Sequence, residues 1–177
     1  AAELFYQAAL MLSEQGEASQ ALDVLGFIDL EAAQDEQLAS IQLLKARLLL
    51  AGGDPGQSLA QLQNGMFPTQ GSLSPSTRVS YYLQRAAAFS AQNNPLSSLL
   101  ERIQLDRLLP FAEQNNNHDQ IWISLKQLPV SRLRTLSASA QNEDIKGWYE
   151  LSLASRAIST DLDQQSLEVR RWQNNWP

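Results

Sequence analysis

The chain has no cysteine and a single histidine, His118, among its 177 residues. The absence of cysteine excludes a disulfide framework and a thiolate nucleophile. One histidine is too few for the convergent ligands of a zinc-type site, and we assign His118 to the polar first turn of a helix. A serine nucleophile needs a base beside it, and no Gly-x-Ser-x-Gly motif is present. The sequence therefore predicts a protein that is not an enzyme and uses no cofactor or metal.

Positive charge and long apolar runs are also scarce. There are 13 Lys and Arg residues against 19 Asp and Glu residues, a formal net charge of −6. Such a chain lacks the basic surface that binds nucleic acid phosphates. It also lacks a run of about 18 apolar residues that would span a bilayer. Because residues 1–4 do not resemble a signal peptide, we expect a mature-protein fragment whose targeting signal has been removed.

Helical periodicity is present from one end of the chain to the other. Leu38, Ile41, Leu44 and Leu48, for example, fall on one helical face. A capping residue followed by proline marks three helix starts, at Asp54-Pro55, Ser74-Pro75 and Asn94-Pro95. The pattern predicts an all-α fold of about ten helices, at 1–14, 17–28, 33–51, 55–64, 75–91, 95–109, 116–128, 130–139, 143–158 and 161–174.

The first part of the chain contains a weak repeat. Its copies are Gly16, Ala21 and Leu25, then Gly53, Ser58 and Leu62, and a looser third copy at Asn94, Leu99 and Ile103. Small residues precede each turn, at Ala8-Ala9, Ala46 and Ala86-Ala87-Ala88. This spacing is typical of tetratricopeptide-like repeats. We therefore expect one helical-repeat domain over 1–177, a solenoid of antiparallel hairpins over 1–110 with further packed helices over 111–177.

Two surface features are candidates for partner binding. Arg102, Arg107, Arg132 and Arg134 form the most basic stretch, which is either two solvated helix faces or a patch that meets carboxylates. Lys45, Arg47 and Arg85 are too sparse to predict a carboxylate clamp. The loop 65–73 carries Met66 and Phe67 and is either a binding loop or a plug over the end of the helical groove. Gln and Asn tracts such as Asn115-Asn116-Asn117 are interpreted as solvated surface.

The tryptophans lie in the final third of the chain. Trp122, Trp148 and Trp172 occupy core-like helical positions, and Trp176 is placed to pack on a following domain. If the Trp148 ring is buried in the core, Trp148→Ala should cost about 3–5 kcal/mol of stability.

Segments around these tryptophans resemble the LppC/LpoA family of outer-membrane lipoproteins. Residues 121–128 are similar to its Trp-x-x-Leu-x-x-Leu segment, and residues 147–151 to its Gly-Trp-x-x-Leu segment. Residues 172–177 resemble the Trp-x-x-x-aromatic-Pro signature that closes the family's helical domain. The order and spacing agree over 121–177, whereas residues 1–120 match as a generic helical array.

The resemblance implies the non-catalytic N-terminal domain of a lipoprotein that activates a class A penicillin-binding protein in peptidoglycan synthesis. Family members carry a lipidated cysteine, which this sequence lacks, and a second domain that would follow Pro177. The expected site is the periplasmic side of the outer membrane, with membrane contact only through that lipid anchor. Contact with the synthase is expected mainly through the second domain, and this domain is expected to act as a spacer that also contacts a partner or peptidoglycan.

Two alternatives remain at this stage. The repeat is also typical of a free-standing tetratricopeptide-type adaptor that binds a peptide in its concave groove. A helical accessory domain of a peptidoglycan-cleaving enzyme is the other alternative. The acidic residues, however, occupy ordinary helix-surface contexts and lack the Ser- and Gly-rich segment of the lytic transglycosylases.

Overall fold

A computed structural model describes residues 2–63, 67–157 and 169–174. Across these residues the fold is all-α, with no strand, which confirms the predicted fold class. The helices are α1 (Ala2–Glu14), α2 (Ala18–Gly26), α3 (Asp35–Ala51), α4 (Pro55–Gln63), α5 (Pro75–Ala91), α6 (Pro95–Asp106), α7 (Phe111–Gln127), α8 (Val130–Ser139) and α9 (Glu143–Ala157). Residues 169–174 are also helical. Met66, Trp176 and the first part of the predicted tenth helix lie outside the described residues.

The chain divides into two compact units, Ala1–Asn94 and Pro95–Pro177. The sequence suggested an internal division after residue 110 instead. The earlier boundary has a clear physical reason, because α6 packs against α7 and shares a core with it: Leu99 and Ile103 of α6 cluster with Ile121 and Leu125 of α7. None of the described helices is both long and apolar enough to cross a membrane.

The first unit is a series of helical hairpins. Consecutive helices α1 to α5 contact one another, and α3 also contacts both α1 and α5. Neighbours two helices apart are in contact when successive hairpins stack. A core cluster formed by α1, α2, α3 and the connection between α2 and α3 consists of Ala9, Ala21, Leu25, Ile28, Ile41, Leu44 and Leu48. The repeat predicted from the sequence therefore corresponds to a stack of antiparallel hairpins in this unit.

Three turns in this unit have the same backbone structure. Each is centred on a residue with positive φ: Gly16 at 83°, Gly53 at 85° and Asn93 at 55°. In every turn the three successive N–H groups donate to carbonyl oxygens four, three and five residues earlier, over 2.9–3.2 Å. This left-handed C-terminal cap satisfies carbonyls that the helix end would leave without donors. A single left-handed residue, glycine or asparagine, thus sets each of these turns.

The third copy of the repeat is shifted by one residue from the predicted register. The sequence placed its turn at Asn94, but Asn93 is the residue in the left-handed conformation. In the corrected register Ser98 corresponds to Ala21 and Ser58, all of them buried small residues. Arg102 then takes the place held by the buried residues Leu25 and Leu62 in the first two copies. The third copy looked loose because a charged side chain occupies an apolar position.

A small residue lies seven positions before each turn centre. These residues are Ala9, Ala46 and Ala86, and each is fully buried. Because alanine has only a methyl group, helices can approach closely at these points. The small residues noted in the sequence therefore have a direct packing role.

The proline-led helix starts are confirmed for α4, α5 and α6. The Asp54 carboxylate accepts from the N–H of Gln57 over 2.9 Å, and the Ser74 hydroxyl accepts from the N–H of Thr77. Glu36, in the first turn of α3, accepts hydrogen bonds from the hydroxyl groups of both Ser74 and Thr77, each over 2.5 Å. These bonds lower the pKa of the Glu36 carboxyl and tie the start of α5 to the start of α3.

The second unit pairs α6 with α7 and α8 with α9. Its core consists of Leu99, Ile103, Ile121, Leu125, Leu128, Leu133, Tyr149 and Leu153. Helix α7 begins at Phe111, directly after the non-helical residue Pro110, and not at 116 as predicted. The asparagine tract argued for a later start because Asn is a poor helix former. Asn117 makes hydrogen bonds inside the unit that offset this weak preference.

Candidate functional site

A buried asparagine joins α6 to α7. The Asn117 amide group donates to the backbone carbonyl of Arg102 and to the Asp106 carboxylate, each over 3.0 Å. Its own oxygen accepts from the Arg102 guanidinium over 3.3 Å. The interpretation of the asparagine tract as solvated surface is therefore wrong for Asn117, which is 3% exposed. Partial burial also lowers the pKa of Arg102.

His118 lies within α7 rather than in a first turn. Its Nε2 is 3.0 Å from the Asp106 carboxylate, and its ring meets the Trp148 indole at 5.2 Å between centroids in an edge-on arrangement. The Asp106 carboxylate therefore contacts both the Asn117 side-chain amide and the His118 ring. No cluster of three metal-ligating side chains occurs among the residues that the structure describes.

A cavity of about 290 Å³ opens beside this cluster in the second unit. Its apolar wall comes from Ile103, Trp148, Leu151 and Trp172. Its polar side comes from Asp106, Arg107, His118 and Asp144. A concave site with apolar walls and a few convergent polar groups is the usual form of a small-ligand site. We therefore take this cavity, called the tryptophan cavity below, as the candidate site.

The polar side of the tryptophan cavity is held together by ion pairing and hydrogen bonds. The Arg107 guanidinium forms an ion pair with the Asp144 carboxylate, in which Nε donates over 3.0 Å. It also donates to the Asn142 side-chain oxygen over 3.4 Å. Asn142 in turn accepts from the N–H of Ile145 and so caps the start of α9. The helix start and the ion pair thus position each other.

The tryptophans are less buried than the sequence indicated. Trp122 and Trp148 are partly buried and pack against the core, with their rings edge-on at 6.3 Å between centroids. The neighbouring residue Tyr149 is the aromatic core residue and is 2% exposed. Trp148 therefore packs against the core, as its helical position indicates, but its ring is only partly buried and also lines the tryptophan cavity. Trp172 is also partly buried and lines the same cavity.

The four arginines singled out from the sequence do not share one cavity. Arg107 lines the tryptophan cavity, and Arg134 lines a separate cavity of about 450 Å³ with Lys146 and Glu150. Arg102 is half-buried against Asn117. Arg132 is exposed on α8, and its charge partly offsets the rise that burial causes in the pKa of Tyr149. The four arginines therefore do not form a single binding site, and each would contact a partner from a different place in the second unit.

The described end of the 65–73 loop packs on the first unit. The Phe67 ring lies 4.8 Å from the Tyr81 ring of α5, between centroids, and Leu73 is buried. These contacts favour the plug interpretation for Phe67. Met66, the other residue singled out in this loop, is outside the described residues.

A second cavity, of about 260 Å³, lies among α1, α3 and α5 in the first unit. Tyr6, Ser40, Arg47 and Gln84 are among its polar residues. Of the three basic residues considered for a carboxylate clamp, only Arg47 lines it. The Arg85 guanidinium lies instead over the rings of Tyr81 and Phe89, at 5.2 and 5.5 Å.

The sequence indicated only some of the residues that line the tryptophan cavity. It singles out Arg107, His118, Trp148 and Trp172, and Leu151 within the 147–151 segment, but neither Asp106 nor Asp144. These two carboxylates belong to α6 and α9, and no spacing along the chain predicts that the two helices meet. A partial signal existed in the Asn117-His118 pair, because two polar residues before an apolar helix face often bind a neighbouring side chain.

Comparisons with known proteins agree with this fold. A Vibrio cholerae serotype O1 protein named penicillin-binding protein activator LpoA is 28% identical over 136 residues, which cover 77% of this chain and 22% of the relative. A Serratia proteamaculans protein of the same name is 28% identical over 166 residues, which cover 94% of this chain and 24% of the relative. This chain therefore spans about a quarter of the length of these relatives or less.

Solved structures share the architecture. The amino-terminal domain of Escherichia coli LpoA matches with a TM-score of 0.73 at 22% identity, over 98% of this chain and 75% of that one. The corresponding Haemophilus influenzae domain matches with a TM-score of 0.71 at 22% identity, over 98% and 78%. The family model described as LppC putative lipoprotein matches residues 1–177, well beyond the segments that carried the resemblance. The chain belongs to the LppC family.

Proposed function

We propose that this chain is the non-catalytic helical domain of an outer-membrane lipoprotein that activates a class A penicillin-binding protein in peptidoglycan synthesis. The observation that carries the proposal is the match of the LppC family model to all 177 residues. The relatives named penicillin-binding protein activator support the same role. In this proposal the domain works on the periplasmic side of the outer membrane, and the lipid anchor and the synthase-activating domain lie outside these residues.

The physical role we assign to the domain is that of a spacer. Stacked hairpins contact mainly their neighbours, so a hairpin array resists bending more than an unstructured linker does. The three identical turns and the small residues at the hairpin contacts support this role in the first unit. A folded spacer would hold an activating domain at a fixed distance from a lipid anchor.

The domain also has surfaces that could contact the synthase or peptidoglycan. Arg132 and Arg134 are exposed on α8 and are the arginines we propose for a protein partner. Arg107 would act at the tryptophan cavity, while Arg102 would contribute through its bond to Asn117. Met66 and Phe67 remain proposed contacts of the 65–73 loop.

Calorimetry with the 177-residue chain and the periplasmic part of a class A penicillin-binding protein tests the contact. Saturable binding that weakens in the Arg132→Ala/Arg134→Ala variant would support it. The matched control is Lys126→Ala/Arg170→Ala, which also removes two exposed positive charges from the second unit but at other positions. Absence of binding, with the intact lipoprotein as positive control, would remove the contact and leave the spacer role.

The spacer role has its own test. Residues 1–177 of the intact lipoprotein are replaced by a Gly/Ser-rich linker of similar reach, and stimulation of the synthase is measured in cells. We expect stimulation to fall because a flexible linker does not hold the activating domain at a fixed distance. Full stimulation by the linker variant would contradict the spacer role.

A peptide-binding adaptor is the second candidate, and one observation favours it. The cavity among α1, α3 and α5 is open and carries Tyr6, Arg47 and Gln84 beside leucine side chains. An extended peptide with a carboxylate would suit this combination of groups. Peptide-library selection against the wild type, followed by binding measurements with Arg47→Ala, tests this candidate. The selected peptides should bind the Arg47→Ala variant more weakly than the wild type. Selection of no peptide would remove this candidate.

A further inference from the structure

We infer that the tryptophan cavity binds one uncharged sugar ring of a glycan. The inference deepens the peptidoglycan contact included in the proposed function and rests on it for biological meaning. The argument itself uses only the groups that line the cavity.

The apolar side of the cavity suits the carbon–hydrogen face of a pyranose ring. Trp148 and Trp172 both line the cavity, and each supplies a large flat surface at low entropic cost because it has few rotatable bonds. Ile103 and Leu151 complete the apolar wall. The Trp148 ring is fixed from two sides, by the edge-on contacts with Trp122 and His118. A fixed ring loses little freedom when a ligand stacks on it.

The polar side suits ring hydroxyl groups. Each carboxylate offers about four acceptor positions. The contacts of Asp144 with Arg107, and of Asp106 with Asn117 and His118, occupy some of them. The Arg107 guanidinium carries five N–H donors, of which the bonds to Asp144 and Asn142 use some. Neighbouring hydroxyl groups of a sugar both donate and accept, so they can bind a carboxylate and a guanidinium placed side by side.

The charge arrangement argues against other ligand classes. A strongly charged ligand would compete with the Arg107–Asp144 pair or with the contact between His118 and Asp106. A purely apolar side chain would remove water from these polar groups without replacing its hydrogen bonds, which costs free energy. An uncharged polyol ring avoids both penalties because it has one apolar face and a polar rim.

Proton–nitrogen NMR spectra of the 177-residue chain test the inference through the tryptophan indole signals. The probes are cellotetraose, maltotetraose and the tetramer of N-acetylglucosamine. We expect saturable shifts of the Trp148 and Trp172 indole signals with at least one probe, at a Kd of about 1 mM. Trp172→Ala should weaken binding by about tenfold or more.

A matched pair of charge variants locates the site. Asp144→Asn removes a carboxylate from the cavity and should weaken binding, whereas Asp119→Asn makes the same change outside it and should not. Thermal unfolding of each variant shows whether weaker binding comes from a misfolded protein. Because Trp172→Ala and Asp144→Asn alter different sides of the cavity, one misfolded variant does not prevent the test.

Three outcomes would overturn the inference. The first is the absence of indole shifts with all three sugars, and the second is binding that Trp172→Ala leaves unchanged. The third is synthase binding, in place of sugar binding, that Trp172→Ala abolishes, which would assign the cavity to a protein partner. The calorimetric test of synthase binding uses no sugar, so failure of the inference is distinguishable from failure of the proposed function.

Discussion

Asn117 of α7 and Arg102 of α6 bind each other twice. The Asn117 amide donates to the Arg102 backbone carbonyl over 3.0 Å, and the Arg102 guanidinium donates back to the Asn117 oxygen over 3.3 Å. A third bond joins Asn117 to Asp106. A polar side chain with three bonds thus lies where a hairpin contact would usually be apolar. The pair also fixes Asp106, which lines the tryptophan cavity.

The first prediction concerns this pair. Asn117→Ala should lower the free energy of unfolding by about 1–3 kcal/mol, because it leaves polar groups of α6 without their partner. Asn116→Ala, on the exposed side of the same helix, should change it by less than about 0.5 kcal/mol. Urea denaturation measures both values. Equal effects of the two variants would contradict the role given to Asn117.

The second prediction separates two adjacent aromatic residues. Tyr149→Ala should cost about 3–5 kcal/mol because its ring is almost fully buried. Trp148→Ala should cost less, since that ring is partly exposed at the cavity. Thermal unfolding of the two variants compares them directly. A larger loss in Trp148→Ala than in Tyr149→Ala would contradict the partial burial of the Trp148 ring.

The third prediction concerns the hairpin turns. Gly53→Ala should cost about 1–2 kcal/mol, because a Cβ is disfavoured at positive φ even though no atom lies within 4 Å of it. Asn93→Gly should be neutral or slightly stabilising for the same reason. Gly56→Ala, inside α4, is the control and should stabilise by about 0.5–1 kcal/mol. Chemical denaturation would reject this account if Gly53→Ala and Gly56→Ala behaved alike.

The fourth prediction is a pH dependence. Hydrogen bonds from Ser74 and Thr77 hold the pKa of Glu36 below its ordinary value of 4.5. A pKa that is lower in the folded chain gives stability that is present above the ordinary value and is lost as the pH falls through the folded value. Glu36→Gln should therefore reduce the fall in urea midpoint between pH 7 and about pH 3.

Glu31→Gln is the control for the pH experiment, because Glu31 is also exposed and lies outside this hydrogen-bonded group. Its variant should retain the wild-type fall in the urea midpoint. If Glu36→Gln and Glu31→Gln gave the same pH profile, the bonds to Ser74 and Thr77 would not explain the acid dependence.

Helices and turns were predictable from the sequence because local rules govern them. Periodicity gave the buried face of α3, and proline after a capping residue gave the starts of α4, α5 and α6. The start of α7 was missed because hydrogen bonds from Asn117 to α6 offset the weak helix preference of asparagine. Local propensity contains no information about such a partner.

The candidate site was predictable only in part. The sequence singled out Arg107, Trp148 and Trp172 but assigned the two tryptophans to the core. Whether an aromatic ring on a helix is buried or lines a cavity depends on the angle at which its neighbours pack. Asp106 and Asp144 are 38 residues apart, and only the packing of α6 and α9 places both at one cavity.

The three equivalent turns have an evolutionary consequence. The hairpins α1–α2 and α3–α4 each carry one left-handed residue at the turn and one fully buried alanine seven positions before it. Duplication of a segment such as 38–74 would supply both signals together, so a gene could gain or lose a whole hairpin without redesigning its neighbours. The reach of such a domain can therefore change in discrete steps.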